Sequence, residues 1–223
     1  MKFENHIGET GGMAESEFLG VLDNSVFREF LVAELERVES EINSLENKKE
    51  RDEVRDQIAN AVHSRHSFYL PRKESLVVTR EMQSDNPKEP NLLFPKLLLA
   101  SIKEKINQQT EDQVEVLFYT ACTNFHDKRG EEVKNSADVF HGIDAFIDFK
   151  YGKKERTITL DLSIDPKKMN RRTKANVVMV ANSAEFDLDP NDEGFQNFVE
   201  DQADKVFQLF FRDYQLDESY KAA

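Results

Sequence analysis

From Asn24 onward, the apolar positions Phe27, Leu31, Leu35, Val38, Ile42 and Leu45 recur at spacings of three or four residues. This stripe predicts a long amphipathic helix, with Asn24 or Ser25 as its cap. After the polar run ENKKERDE the stripe resumes at Val54, Ile58 and Val62, so residues 23–66 read as one long helix or as a helical hairpin broken near Asn47. A stripe this narrow also suits a coiled-coil seam, which allows a homodimer through residues 24–62. Residues 1–22 lack periodicity and read as a flexible tail. Residues 67–90 hold Pro71, Pro87 and Pro90 and read as a connector with one short strand at residues 76–79.

Residues 91–216 carry the patterns of a packed core. Residues 92–106 predict a helix that tolerates Pro95 only in its first turn. Thr110-Glu-Asp-Gln113 matches a capping box and predicts a second helix, with Val114, Leu117, Phe118, Ala121 and Phe125 on one face and Lys128, Arg129 and Gly130 as its C-terminal signals. Val177–Val180 reads as a short buried strand. Asn191 or Asp192 opens a last helix with Phe195, Val199, Ala203, Val206 and Phe210 along one face. The expected architecture is a mixed α/β domain with a helical N-terminal extension.

The stretch from His141 to Lys168 is the most informative. Ile143, Ala145, Ile147 and Phe149 alternate with Asp144, Phe146, Asp148 and Lys150, and Ile158, Leu160, Leu162 and Ile164 with Thr157, Thr159, Asp161 and Ser163, so both halves predict strands. Gly152 between them suits a two-residue hairpin turn. That turn sets a register in which Ala145 faces Leu160 and Ile147 faces Ile158, leaving one continuous apolar face. A slip by one residue would set apolar against polar throughout. The other face then pairs Asp144 with Asp161, Phe146 with Thr159, and Asp148 with Thr157. Two opposed carboxylates repel, a conflict that a divalent cation relieves and that a wet face would tolerate.

Composition narrows the function classes. The net charge is −13 with 33% charged residues, which argues against polyanion binding through the whole surface. The distribution is uneven, because residues 150–174 hold nine Lys and Arg against three acids, whereas residues 185–218 hold eleven acids against Lys205 and Arg212. The one cysteine, Cys122, forms no intrachain disulfide or thiolate cluster and reads as a small core residue. A cytoplasmic protein is expected, with no apolar run of about 18 residues to span a membrane. His63 and His66 lie one helical turn apart without a third ligand nearby and read as surface residues. No Gly-rich phosphate loop or GxSxG elbow is present.

The helix, the hairpin and the acids in GIDAFIDF and TLDLS together resemble the PD-(D/E)XK nuclease superfamily. The resemblance spans residues 110–180. It implies a restriction-endonuclease-like core, with a mixed sheet flanked by helices, and metal-dependent hydrolysis of phosphodiester bonds. Asp144, Asp161 and Glu115 would be catalytic and hold Mg²⁺ or Mn²⁺, and DNA is expected ahead of RNA as the partner. Arg156, Arg171, Arg172 and Lys174 would touch the nucleic-acid backbone without reading bases. The family's usual lysine, two positions after the third acid, is replaced by Ser163, and Lys167 or Lys168 would have to supply it. The alternative is a non-catalytic protein of the same fold that acts as a scaffold through its acidic surface and N-terminal helix.

Overall fold

The computed structural model describes residues 11–44, 47–49, 51–52, 70–123, 135–163, 174–181 and 189–221. The run VEVLFYT forms strand β1 (Val114–Thr120), not the helix that its Thr110–Gln113 preface predicts. Thr110 closes the helix before it, since its N–H donates to the Ile106 carbonyl while its Oγ1 accepts the Asp112 N–H in a local turn. The misreading has a physical cause. Residues 116–120 are all buried, so a period of two never shows, and the adjacent Leu117 and Phe118 imitate one face of a helix. The β-branched and aromatic content was the contrary signal.

Strands β2 (Ala145–Tyr151) and β3 (Lys154–Ser163) form the hairpin in the predicted register, with Ala145 opposite Leu160, Ile147 opposite Ile158 and Asp148 opposite Thr157. Gly152 in the turn has φ 57°, which a glycine adopts without a Cβ clash. β1 pairs antiparallel with β2, and β4 (Val177–Val180) joins β3 in parallel, giving a mixed four-stranded sheet in the order β1-β2-β3-β4.

Helices flank both faces of this sheet. In chain order the helices of the described residues are α1 (Gly11–Leu19), α2 (Asn24–Ser44), α3 (Arg72–Glu81), α4 (Leu93–Gln109), α5 (Ser136–His141) and α6 (Glu193–Lys221). Ala145, Ile147, Phe149, Ile158, Leu160 and Leu162 face the larger core, shared with α1, α4 and α6. There Phe149 stacks on Phe210 at 4.3 Å. Each such large side chain contributes about 1.5–3 kcal/mol by leaving water. The predicted face of α6 is the buried one, and Asp192 caps it by accepting the Phe195 N–H.

Several N-terminal expectations change. Within the expected tail, residues 11–19 form α1, whose Phe18 and Leu19 are buried in the core. Nine residues are too few to display a stripe. Asp23, and neither Asn24 nor Ser25, caps α2 by accepting the Ser25 and Val26 N–H groups. The Ser25 hydroxyl, then those amides, hold its carboxyl below the ordinary value. Asn47 takes the Lys49 N–H on its side chain and the Arg51 N–H on its carbonyl, so a capped turn begins at the predicted break. Val54, Ile58, Val62, His63 and His66 lie outside the described residues.

The expected strand at residues 76–79 lies inside α3, where Ser75, Leu76 and Thr79 turn toward the sheet and Val77 faces solvent. Packing overrides the β-propensity of its valines. With α5, this helix covers the polar face of the hairpin. That face is therefore not wet, because Asp144, Asp148, Thr159 and Asp161 are all at most 4% exposed.

Gly142 ends α5 in the left-handed conformation, φ 58° and ψ 48°, and turns the chain toward Asp144. Nothing lies within 4 Å of where its Cβ would stand, so Gly142→Ala meets only backbone strain. We expect a loss of about 1 kcal/mol in urea unfolding, and an unchanged midpoint would refute the assignment.

Candidate functional site

Four acidic residues gather at the end of the sheet where β3 and β4 finish and β2 begins. Asp144 precedes β2, and the regular β2–β3 ladder stops at Ala145 and Leu160. The expected Asp144–Asp161 pair is therefore not a ladder pair. Instead the Asp144 N–H donates to the Leu160 carbonyl at 2.9 Å, and its carbonyl accepts the Ala121 N–H at 2.8 Å. Its Oδ2 accepts the Leu162 N–H at 2.6 Å. The carboxylate thus replaces the main-chain acceptor that the diverging strand no longer offers.

Asp161 lies on β3 next to Val178 of β4 and is 3% exposed. Period-two geometry puts it on the same face as Thr159 and Ser163. The charges that bear on Asp144 are negative: burial first, then Glu15, Asp138 and Asp161, push its carboxyl up to about 9. Glu15 comes from α1 and Asp138 from the first turn of α5. Among the described residues no three His, Cys, Asp or Glu side chains stand close enough to hold an ion as they are.

The sign of this shift has a measurable result in metal-free protein. The folded carboxyl keeps its proton up to about pH 9, whereas an ordinary one loses it near 3.8. The stability that this group contributes is therefore complete below pH 3.8 and is lost as pH rises toward 9. Asp144→Asn keeps an acceptor for the Leu162 N–H and removes the charge. In EDTA its melting temperature should exceed the parent's by a few degrees, on the order of 3 °C, with a margin that widens from mildly acidic to alkaline pH. A margin independent of pH would contradict the assignment.

Asp148, farther along β2 and fully buried, is answered quite differently. Arg80 of α3 donates from Nε to Oδ2 at 2.7 Å and from Nη2 to Oδ1 at 2.9 Å, and the Thr157 hydroxyl donates to Oδ1 at 2.6 Å. The Arg80 guanidinium also lies 5.2 Å from the centre of the Phe146 ring, a cation–π distance. Asp148 is thus a structural acid neutralised by Arg80.

The remaining predicted residues are dispersed. Glu115 is on a strand, not a helix, where it faces Lys150 in the register and pairs with Lys88. The Lys88 ammonium holds its carboxyl below the ordinary value. It lies six strand positions from the level of Asp144, about 20 Å away. Arg156 points to the opposite face of the sheet from Asp161 and pairs with Asp213 of α6 at 2.7 Å. Lys174 is exposed, and its Nζ donates to the Phe140 carbonyl. Lys167, Lys168, Arg171 and Arg172 lie outside the described residues.

Cys122 is a buried core residue, as expected, although it sits just after β1 and not on a helix. His141 bonds the Leu70 carbonyl at 2.8 Å. Sequence reasoning missed Glu15, Asp138 and the arginines of α3. Only the adjacent Phe18 and Leu19 marked the segment that brings Glu15 in. No family model, curated protein or solved structure matches the chain. Among the described residues no helix is long and apolar enough to cross a membrane.

Proposed function

We propose that the protein is a metal-dependent nuclease, hydrolysing phosphodiester bonds of nucleic acid at the acidic end of the sheet. The observation that carries this reading is Asp144, a 4% exposed carboxyl on which the neighbouring charges are those of Glu15, Asp138 and Asp161. Ionising a buried carboxyl beside other acidic groups is costly. A hard divalent cation relieves that cost, and an all-oxygen donor set suits Mg²⁺ or Mn²⁺.

In this reading Asp144 and Asp161 hold the ion, and Glu15 takes the part first given to Glu115. The order of parts supports it: a helix bearing a glutamate, then an aspartate at the head of one strand and another on the next strand. The metal supplies Lewis acidity, making a water more acidic and offsetting charge on the phosphoryl oxygens. The chain's own residues fix the positions of the acids. The Leu162 N–H orients the Asp144 carboxylate, and Gly142 sets the turn that delivers it.

The test is cleavage of single- and double-stranded DNA and RNA with Mg²⁺ or Mn²⁺, comparing the parent with Asp144→Ala and Asp161→Ala. A second reading, a non-catalytic scaffold of the same architecture, is favoured by Ser163 at the lysine position. It predicts that the parent cleaves none of these substrates and that millimolar Mn²⁺ leaves its melting temperature unchanged.

A further inference from the structure

Ser163 stands two positions after Asp161, where the resemblance calls for a lysine, and the chain carries a net charge of −13. An anionic substrate therefore needs a local cation near these acids. Two described cations stand there without a carboxylate partner. Arg72, in the first turn of α3, donates from Nη2 to the Thr159 Oγ1 at 3.0 Å and from Nη1 to the Lys174 carbonyl at 3.1 Å. Thr159 is two residues from Asp161 on the same face of β3, about 7 Å along the strand. Lys174 sends its Nζ to the Phe140 carbonyl at 2.6 Å. All these acceptors are neutral, and among the described residues neither side chain has a further interaction.

The contrast with Arg80 is informative. Both arginines project from α3 over the polar face of the hairpin, eight residues apart. Arg80 is matched with Asp148 and Glu155, whereas Arg72 is exposed and its planar fork meets only a hydroxyl and a carbonyl. Such a fork binds a phosphate in bidentate fashion and more strongly than it binds neutral oxygens.

We propose that Arg72, with Lys174 beside it, binds a backbone phosphate of the nucleic acid and supplies the positive charge that Ser163 does not. This rests on the reading of Asp144 and Asp161 as the reacting end of the site. On binding, the guanidinium exchanges Thr159 and the Lys174 carbonyl for phosphate oxygens. Thr159 remains bonded to Asn176, to which its hydroxyl donates at 2.9 Å, so the exchange leaves the strand pairing intact.

The experiment compares the parent with Arg72→Ala, Arg72→Gln and Lys174→Ala, using fluorescein-labelled DNA and RNA oligonucleotides, single- and double-stranded. Anisotropy in EDTA over a range of salt concentrations reads binding without metal. Arg72→Ala and Arg72→Gln should each weaken binding about tenfold and lower the salt slope by about one. With Mg²⁺, kcat/KM should fall about a hundredfold. Glutamine retains a donor for Thr159, so a merely structural role would leave Arg72→Gln like the parent. Parent-like affinity and salt slope in Arg72→Gln overturn the proposal, as does a parent that binds none of the oligonucleotides in EDTA. A parent that binds through Arg72 but never cleaves overturns the nuclease reading and upholds Arg72 as the phosphate contact.

Discussion

Replacing Asp144 or Asp161 with alanine is expected to reduce metal-dependent cleavage of nucleic acid by about a thousandfold or more. Each carboxylate is buried within 4% of full exclusion from water, and each would contribute a negative oxygen to the same ion. Removing either leaves the site one ligand short. Loss of fold is a separate outcome and is read separately. Asp144→Ala also strands the Leu162 N–H, which its Oδ2 now satisfies, so Asp144→Asn is the companion variant that keeps this bond. Asp161→Asn serves likewise for β3. Thermal melts with and without Mn²⁺ give a second readout, because an ion that binds only the folded state raises the melting temperature by mass action. The parent should show that rise and the variants should not. Cleavage at the parent rate in the alanine variants would remove this end of the sheet as the active site.

Arg80→Ala is expected to produce the largest loss of stability, about 3 kcal/mol in urea unfolding. Asp148 is fully buried, and the two guanidinium bonds to it, at 2.7 and 2.9 Å, are what make its charge tolerable there. Without Arg80 the carboxylate keeps only the Thr157 hydroxyl. The Asp148 hydrogen bonds also raise the Arg80 pKa, so the guanidinium keeps its charge. Because the cost comes from the partner left behind, the double variant Arg80→Ala with Asp148→Ala should lose less than the sum of the single losses. A midpoint for Arg80→Ala close to the parent's would show that α3 is held by its apolar contacts alone.

These two expectations separate two kinds of buried acid, one just before β2 and one within it. In the sequence Asp144 and Asp148 look equivalent, four residues apart on the polar side of β2. The difference lies in α3, about seventy residues earlier in the chain, which aims Arg80 at one of them. It leaves the other among Glu15, Asp138 and Asp161. No local pattern encodes that choice, because an arginine on a helix carries no mark of the carboxylate it will meet.

By itself the sequence determined the β2–β3 hairpin and its register, the strand at Val177–Val180, the helix with Pro95 in its first turn and the buried face of the last helix. In the hairpin and the last helix a local period, of two or of about 3.6, coincides with a boundary between core and solvent or with a cap or turn residue, while the other two are marked by apolar runs of strand or helix length. The tertiary structure decided the rest. It made a strand of residues 114–120, where burial on both faces erased the period. It made a helix of residues 72–81 through contacts with the sheet, and it brought α1 into the core. The acidic site depends on those same three segments: β1 carries Glu115 away, α3 covers the polar face, and α1 brings Glu15 toward Asp144. Each placement is set by packing between segments distant in sequence, and the pattern of any one segment cannot contain it.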